Sequence, residues 1–203
     1  MNKLKVWDWQ TLPPIYYLKP EEIGELKIDW PTYQDAAYLD QLTNLPNRRA
    51  FDAILAKAVK EATAQGAGFS MLLFDLDHFK TVNDTYGHIA GDRVLREFSR
   101  RVSGALRSTD ICARYGGEEF SILTVVSPQQ VFEIGERVRL AVRELPFSIP
   151  RQKPIQVTCS FGYAVFPFDA ISGEELLDMA DKGLYRAKES GRDRGARIEC
   201  TPI

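Results

Sequence analysis

Cysteine is scarce in this chain, and its spacing excludes several kinds of site. Among 203 residues there are three cysteines, Cys112, Cys159 and Cys200, and no two of them have the CxxC spacing of zinc or redox sites. An odd number of widely separated cysteines favours reduced, buried thiols. We therefore expect no structural disulfide.

Long apolar runs and an excess of one charge are also lacking. No run approaches the roughly 18 apolar residues of a bilayer-spanning helix, and the N-terminus has no signal-peptide core, so we expect a cytoplasmic chain without membrane contact. The chain has 26 basic and 28 acidic residues and a formal net charge of −2. This near balance gives no overall field for polyanions, so we expect no DNA or RNA partner. Any phosphate must be bound locally.

The remaining composition is that of one ordinary globular domain. Hydrophobic residues make up 44%, charged residues 27% and aromatic residues 11%, which excludes disordered, collagen-like and disulfide-scaffold classes. The first 35 residues contain all three tryptophans and lack a periodic pattern. We therefore predict an irregular N-terminal arm or linker at 1–35 and one domain at 36–200.

Hydrophobic spacing predicts an α+β domain with a central sheet packed between helices. The predicted elements are helices at 34–42 and 48–64, a buried strand at 69–74, a polar loop, a helix at 91–106, a hairpin with strands at 110–115 and 120–126, a helix at 129–145, a strand at 156–166, a helix at 172–190 and a short strand at 196–200. Hairpins mixed with crossover helices argue against an all-parallel doubly wound fold.

Two pairs of carboxylates are candidates for a metal site. Asp75 and Asp77 end the predicted buried strand, and Glu118 and Glu119 follow a Gly-Gly turn in the predicted hairpin. Hard oxygen ligands select Mg²⁺, with Mn²⁺ as the alternative, and an open site of this kind usually shares its metal with substrate phosphates. A solvated strand end and an ordinary hairpin turn are the competing interpretations of the two pairs.

The segment after the strand carries polar side chains suited to a nucleotide. Lys80 is expected in the loop, where it neutralises a phosphate that the backbone N–H groups of residues 76–79 cradle. Asn83 and Asp92 flank the start of the next helix, and a carboxylate there is able to accept hydrogen bonds from guanine N1–H and N2–H. A surface lysine, helix caps and a packing role for His88 are the competing interpretations.

Several blocks of sequence together resemble a known family, in order and at its spacing over residues 40–192. The blocks are DQLTNLPNR at 40–48, DLDHFKTVND at 75–84, YGH at 86–88, GD at 91–92, RYGGEEF at 114–120, ADKGLYRAK at 180–188 and GR at 191–192. They resemble the GGDEF domain of diguanylate cyclases. Asn44 stands where that family commonly has glycine, and Asp193 replaces its usual asparagine.

The resemblance implies an enzyme that condenses two GTP molecules into cyclic di-GMP and releases two pyrophosphates. It implies a palm-like, mostly antiparallel sheet, as in nucleotidyl cyclases, with the GGEEF signature on a β-hairpin. It also implies that Asp75, the carbonyl of Leu76, Glu118 and Glu119 form the Mg²⁺ set. Glu118 is in addition the nominated general base, and Lys80 the second catalytic residue.

The resemblance further implies how substrate and product are bound. Asn83 and Asp92 recognise guanine, with Leu95 beneath the base. Phosphates are contacted by Lys80, Lys182 and Arg186. The remaining substrate-binding positions are His78, Phe79, His88, Gly116 and Gly117. Because each domain binds one GTP, the active species is expected to be a two-fold homodimer.

One motif predicts regulation. Arg107 and Asp110 stand where the family carries its RxxD site for allosteric product inhibition, and they predict binding of cyclic di-GMP through charge-assisted hydrogen bonds. A helix-terminal arginine beside a turn aspartate is the alternative. For the whole chain, the alternative to an active cyclase is a silent module that binds GTP or cyclic di-GMP as a receptor. Asp75, Lys80, Glu118 and Glu119 are all present, which favours catalysis.

Overall fold

Residues 24–29 and 35–198 are described by a computed structural model of the chain, and they form an α+β fold of three layers. The strands are β1 (Gly24–Glu25), β2 (Ala67–Leu76), β3 (Ile111–Arg114), β4 (Glu119–Thr124), β5 (Cys159–Phe166) and β6 (Gly195–Ala196). The helices are α1 (Arg48–Gln65), α2 (Phe79–Tyr86), α3 (His88–Ala105), α4 (Val131–Arg143) and α5 (Gly173–Glu189).

The sheet has β2 at its centre. Its order is β3-β4-β2-β5-β6, and β1 pairs with the beginning of β2. The pairs β2–β4, β2–β5 and β3–β4 are antiparallel, whereas β1–β2 and β5–β6 are parallel. Nearly every residue of β2 is buried because helices cover both faces of the sheet, which explains its continuously apolar sequence. The predicted α+β class and the mostly antiparallel sheet are confirmed.

Two hydrophobic clusters lie on opposite faces of the sheet. One joins the sheet to α2, α3 and α4 through residues such as Phe79, Phe98 and Val138. The other joins it to α1 and α5 through residues such as Phe51 and Leu184. Side chains alternate between these clusters along β2, as the two-residue period of a strand requires.

Local sequence signals set the ends of the two helices under the second face. The Asn47 side chain accepts a hydrogen bond from the Ala50 N–H at the start of α1, and Gly66 ends that helix with a left-handed φ of 63°. Ser172 accepts from the Glu175 N–H at the start of α5. The predicted helix at 172–190 therefore begins at a capping serine.

The predicted helix at 34–42 is wrong. Within the described part of that segment there is a single 3₁₀ turn, Ala36–Tyr38, capped by Asp35. Asp40 then accepts hydrogen bonds from the backbone and hydroxyl of Thr43, at 2.9 and 2.7 Å, and forms a turn. Short polar side chains of this kind offer the backbone an alternative to helix hydrogen bonds.

The polar loop predicted after β2 is also wrong, because residues 79–86 form α2. This helix is short and has only two buried side chains, Phe79 and Val82, so its apolar period was too brief to be read. The other predicted elements are present with ends shifted by a few residues. Of the predicted last strand, β6 occupies 195–196, and residues 199–200 lie outside the described residues.

Two further expectations concern the cysteines and membrane-spanning helices. Cys112 and Cys159 are buried thiols, and burial raises the pKa of Cys112 to about 12, while Cys200 lies outside the described residues. None of the helices in 24–29 and 35–198 combines the length and the apolarity needed to cross a bilayer.

Candidate active site

The carboxylates singled out in the sequence meet at the C-terminal end of β2. Asp75 lies directly opposite Glu119 of β4 on one side and Ser160 of β5 on the other. The Leu76 N–H donates to the backbone carbonyl of Glu118 at 3.3 Å, which brings the turn of the hairpin to the same place. Asp75 is only 6% exposed. The structure therefore places Asp75, Leu76, Glu118 and Glu119 next to one another at this end of the sheet.

Lys188, to which the sequence analysis gave no role, forms an ion pair with Asp75. Its Nζ lies 2.8 Å from Oδ2 of Asp75, and it comes from the last turn of α5. Burial raises the pKa of Asp75 above its usual value, and the hydrogen bond and charge of Lys188 oppose this rise. Lys188 belongs to the motif at 180–188, so the signal was present, but the sequence did not reveal which carboxylate it faces.

The two glutamates are electrostatically unfavourable neighbours. Partial burial raises the pKa of Glu118 and of Glu119, and the negative charge of Asp75 raises both further. Such a group of carboxylates gains stability from any cation placed among them.

The donors fit a divalent metal that is shared with a substrate. Among 24–29 and 35–198, no three Asp, Glu, His or Cys side chains converge closely enough to hold an ion by themselves. Carboxylate oxygens beside a partly exposed hairpin turn, supplemented by a backbone carbonyl, are nevertheless the hard ligands that Mg²⁺ uses when phosphate oxygens and water complete its shell. The residues present therefore suit a metal that arrives with a phosphorylated ligand.

Asp77 has a structural role. It is 5% exposed, and its carboxylate accepts hydrogen bonds from the hydroxyls of Thr158 and Ser160, both at 2.7 Å, and from the Asp193 N–H at 3.0 Å. Its oxygens are satisfied by β5, by the residue just before β5 and by the segment before β6. The two aspartates at the end of β2 thus differ in function: Asp77, just after the strand, fixes its end, and Asp75 faces the glutamates.

The predicted guanine-reading residues lie at the junction of α2 and α3. Gly87 ends α2 and precedes α3 with a φ of 81°. A Cβ at Gly91 would overlap Oδ1 of Asn83, so the glycine leaves room for this side chain next to Asp92. Leu95 is buried at 3% exposure beneath this junction, and His88 is the exposed first residue of α3.

The turn between β2 and α2 differs from the expected phosphate cradle. His78 is exposed with a left-handed φ of 58°, Phe79 is buried in the core, and Lys80 projects from the first turn of α2. Two of the four amides proposed as a cradle already donate within the fold, since the Asp77 N–H bonds the Thr158 carbonyl at 2.9 Å and the Leu76 N–H bonds Glu118.

Two basic residues of α5, Lys182 and Arg186, are exposed to solvent. Lys182 forms an ion pair with Asp178 at 2.6 Å, one turn before it, and Arg186 is one turn after it. The structure therefore places Lys182 and Arg186 on one helix face, at the i and i+4 spacing expected for a shared ligand.

Close packing explains the first glycine of the Gly-Gly turn but not the second. Neither Gly116 nor Gly117 has a positive φ, so left-handed backbone is not the reason for the pair. A Cβ at Gly116 would overlap the carboxylate of Glu119, whereas Gly117 faces open space. The absence of a side chain at Gly116 thus leaves room for the Glu119 carboxylate.

The Asp110 side chain binds the backbone of Arg107 across the turn between α3 and β3. The Arg107 N–H donates to Oδ2 of Asp110 at 2.9 Å, and the Thr124 hydroxyl donates to Oδ1 at 2.6 Å. The Arg107 side chain is exposed. Asp110 therefore stabilises the turn, and Arg107 is left to face solvent.

Comparison with known proteins decides the family. The family model described as "Diguanylate cyclase, GGDEF domain" matches residues 37–194. The chain belongs to the GGDEF family.

Relatives of this GGDEF chain include named cyclases. It is 42% identical over 161 residues to the response regulator PleD of Caulobacter vibrioides and 40% identical over 162 residues to the diguanylate cyclase DgcP of Pseudomonas aeruginosa. Each match covers 78% of this chain, but only 36% of PleD and 23% of DgcP. The chain thus spans about a third or less of these relatives.

A solved structure supports the same fold. The GGDEF domain of DgcB from Caulobacter crescentus, in complex with c-di-GMP, matches with a TM-score of 0.75 and 34% identity. The match covers 81% of this chain and 96% of that chain.

The two departures from the GGDEF pattern have a common backbone explanation. Asn44 has a φ of 59° and Asp193 a φ of 47°. Left-handed backbone favours glycine, and asparagine and aspartate tolerate it best among other residues. Both positions therefore keep a left-handed backbone although the usual residue is replaced.

Proposed function

We propose that this GGDEF domain is a diguanylate cyclase that condenses two GTP molecules into cyclic di-GMP and two pyrophosphates. The observation that carries the proposal is the register of β2 and β4, which sets Asp75 opposite Glu119 and beside Glu118. Family membership and the named cyclases among the relatives support the same reaction.

Asp75, the Leu76 carbonyl, Glu118 and Glu119 would hold Mg²⁺, with Mn²⁺ as the alternative. When bound, the metal neutralises triphosphate charge and lowers the pKa of the attacking 3′-hydroxyl. Glu118 lies at the edge of this group, and its raised pKa suits a base that receives a proton. We assign it the removal of the 3′-hydroxyl proton.

Guanine selection falls to the junction of α2 and α3. The Asp92 carboxylate accepts from N1–H and N2–H of guanine, and the Asn83 amide, held over Gly91, supplies the neighbouring contact. Leu95 forms the apolar floor. The exposed side chains of His78 and His88 lie around the base. Phe79 supports the base-binding site from within the core.

Phosphate binding falls to basic side chains on two helices. Lys80 comes from α2, and Lys182 and Arg186 come from one face of α5. Their charges neutralise the triphosphate locally, which a chain with a formal charge of −2 requires. Gly116 and Gly117 let the substrate approach the hairpin backbone.

The reaction needs two domains face to face, because each supplies one GTP and one set of these residues. Arg107 and Asp110 would bind the cyclic di-GMP product away from the carboxylates and inhibit the enzyme. Arg107 is the ligand contact in this proposal, since Asp110 also stabilises its turn.

The deciding experiment is synthesis by the purified chain. GTP and Mg²⁺ are added to the protein at several concentrations, and nucleotides are separated by chromatography. We expect cyclic di-GMP, with turnover per molecule rising with protein concentration. Glu118→Gln should abolish it, whereas Glu144→Gln, an exposed change at the end of α4, should not.

Binding of cyclic di-GMP without any synthesis, at high protein concentration, would overturn the cyclase in favour of a receptor.

A further inference from the structure

Lys188 and Asp75 form a largely buried ion pair within the proposed metal site. The Asp75 side chain is 9% exposed and that of Lys188 is 32% exposed. A buried carboxylate is costly unless a cation accompanies it, so this pair offsets part of the cost of burying Asp75 in the metal-free protein.

The ammonium group lies near more carboxylates than its direct partner. It lies 2.8 Å from Asp75, which stands directly opposite Glu119, and the next residue of the strand, Leu76, binds the backbone carbonyl of Glu118. Lys188 is thus placed at the group of carboxylates proposed to hold the metal. A divalent metal bound by the same carboxylates would lie close to this ammonium, and like charges at such a distance repel strongly.

We propose that Lys188 is the internal counter-ion of the metal-free site and that it leaves Asp75 when the divalent metal binds. The lysine is a positioning residue: it holds the Asp75 carboxylate in place, and metal binding exchanges one cation for another. This inference rests on the proposed metal site of the cyclase and concerns how that site is held before it is loaded.

A different arrangement makes the opposite prediction. If Lys188 stayed on Oδ2 while the metal took the other oxygen of Asp75, the lysine would orient the ligand, and its removal would weaken metal binding. Under exchange, its removal leaves the carboxylates without their competitor, and the metal should bind more tightly.

The experiment measures Mn²⁺ binding to nucleotide-free protein from the electron paramagnetic resonance signal of free Mn²⁺. We expect Lys188→Met to bind Mn²⁺ about tenfold more tightly than the parent chain, because a competing charge is removed. Lys188→Arg should keep the parent affinity. The matched control is Lys60→Met, an exposed lysine on α1, which should also keep it.

Two further measurements keep the test decisive. Adding Asp75→Asn to Lys188→Met should abolish the tighter binding, which ties the effect to this site. In a chelator, Lys188→Met and Lys188→Gln should melt at a lower temperature than the parent, and Mn²⁺ should raise their melting temperatures by more than it raises that of the parent.

Equal or weaker Mn²⁺ binding by Lys188→Met would overturn the exchange. Because no GTP is used, its failure differs from that of the proposed function. Tighter Mn²⁺ binding without cyclic di-GMP synthesis overturns the cyclase alone, and synthesis with unchanged Mn²⁺ affinity overturns the exchange alone.

Discussion

Arg114, at the end of β3, joins the signature hairpin to the turn that opens the domain. Its Nη1 lies 3.1 Å from both carboxylate oxygens of Asp40, 74 positions earlier. Its Nε and Nη2 donate to the Gly117 carbonyl at 3.2 and 2.7 Å. One guanidinium thus holds the Gly-Gly turn against the segment that leads into α1, a geometry that the planar five-donor group of arginine permits and that of lysine does not.

Asp40 and Arg114 should therefore be energetically coupled. Asp40→Asn should lower the free energy of unfolding by about 2 kcal/mol, as expected for charge-assisted hydrogen bonds that are partly buried. Arg114→Lys should cost a similar amount, and the double variant should cost clearly less than the sum. Urea unfolding of the four proteins measures the coupling. Strict additivity would show that the two side chains contribute independently.

The Glu97 carboxylate should contribute to stability in a pH-dependent way. The hydrogen bond from Arg100 and, to a smaller extent, that from Arg101 together lower its pKa to about 2, although partial burial opposes the shift. A lowered folded pKa stabilises the fold above the usual value of 4.5, and this contribution is lost as the pH falls toward 2.

Glu97→Gln should thus cost about 0.5–1 kcal/mol at pH 7, the scale of a largely exposed ion pair. The difference from the parent should shrink as the pH falls below the usual pKa. Urea unfolding across this range measures it. A difference that stays constant with pH would contradict the assignment.

Removing one of the clustered carboxylates should stabilise the metal-free protein. Glu119 is partly buried opposite Asp75, and both effects raise its pKa, so its charge opposes folding. Glu119→Gln should raise the free energy of unfolding by about 1 kcal/mol in a chelator, as neutral substitutions at strained functional sites often do. Thermal melting with and without Mn²⁺ should also show less stabilisation of the variant by metal. A less stable variant in the chelator would contradict the repulsion.

Gly91 should be essential for the position of Asn83. Gly91→Ala places a methyl group where the Asn83 amide lies, so we expect the KM for GTP to rise about tenfold, the loss of roughly one hydrogen bond. Gly104→Ala is the matched control on α3, since a methyl group there meets open space and should add up to about 1 kcal/mol of stability. Steady-state kinetics with GTP distinguish the two. Equal effects of both changes would contradict the packing argument.

The two residues of the RxxD turn should respond differently to truncation. Arg107→Ala should change stability by less than about 0.5 kcal/mol, because the side chain is exposed, while relieving product inhibition. Asp110→Ala should cost about 2 kcal/mol, because it removes the acceptor of Arg107 N–H and of the Thr124 hydroxyl. Turnover with added cyclic di-GMP, together with thermal melting, tests both. Unchanged inhibition in Arg107→Ala would exclude this arginine from the product site.

The central sheet could be predicted because its sequence signals are local. The apolar run at 69–74 lies within β2, and the Gly-Gly turn joins β3 to β4 as expected. The adjacency of Asp75 and the hairpin glutamates followed from the same two signals, because a strand end and a hairpin tip in one sheet often meet.

What could not be predicted depends on contacts between distant parts of the chain. Lys188 is paired with a carboxylate 113 positions away, and nothing in its own motif identifies that partner. α2 was missed because a helix with two buried residues has almost no period, and its stability comes from packing on α3. The predicted helix at 34–42 failed for a related reason, since Asp40 bonds Thr43 and Arg114 instead of continuing a helix.

The pairing of β1 with β2 has a consequence for how the domain should be excised. Residues 24–25 pair with Ala67 and Gly68, and Leu26, 5% exposed, fills a place in the α1 and α5 cluster. The Gln65 side chain bonds both the N–H and the carbonyl of Lys27. A chain that begins at residue 36 would lack both β1 and Leu26. The edge of β2 at residues 67–68 would then be unpaired beside an uncovered part of the α1 and α5 cluster, and such an edge is a template for intermolecular association. A chain that begins at residue 24 instead would keep β1 paired with β2 and Leu26 packed in the cluster.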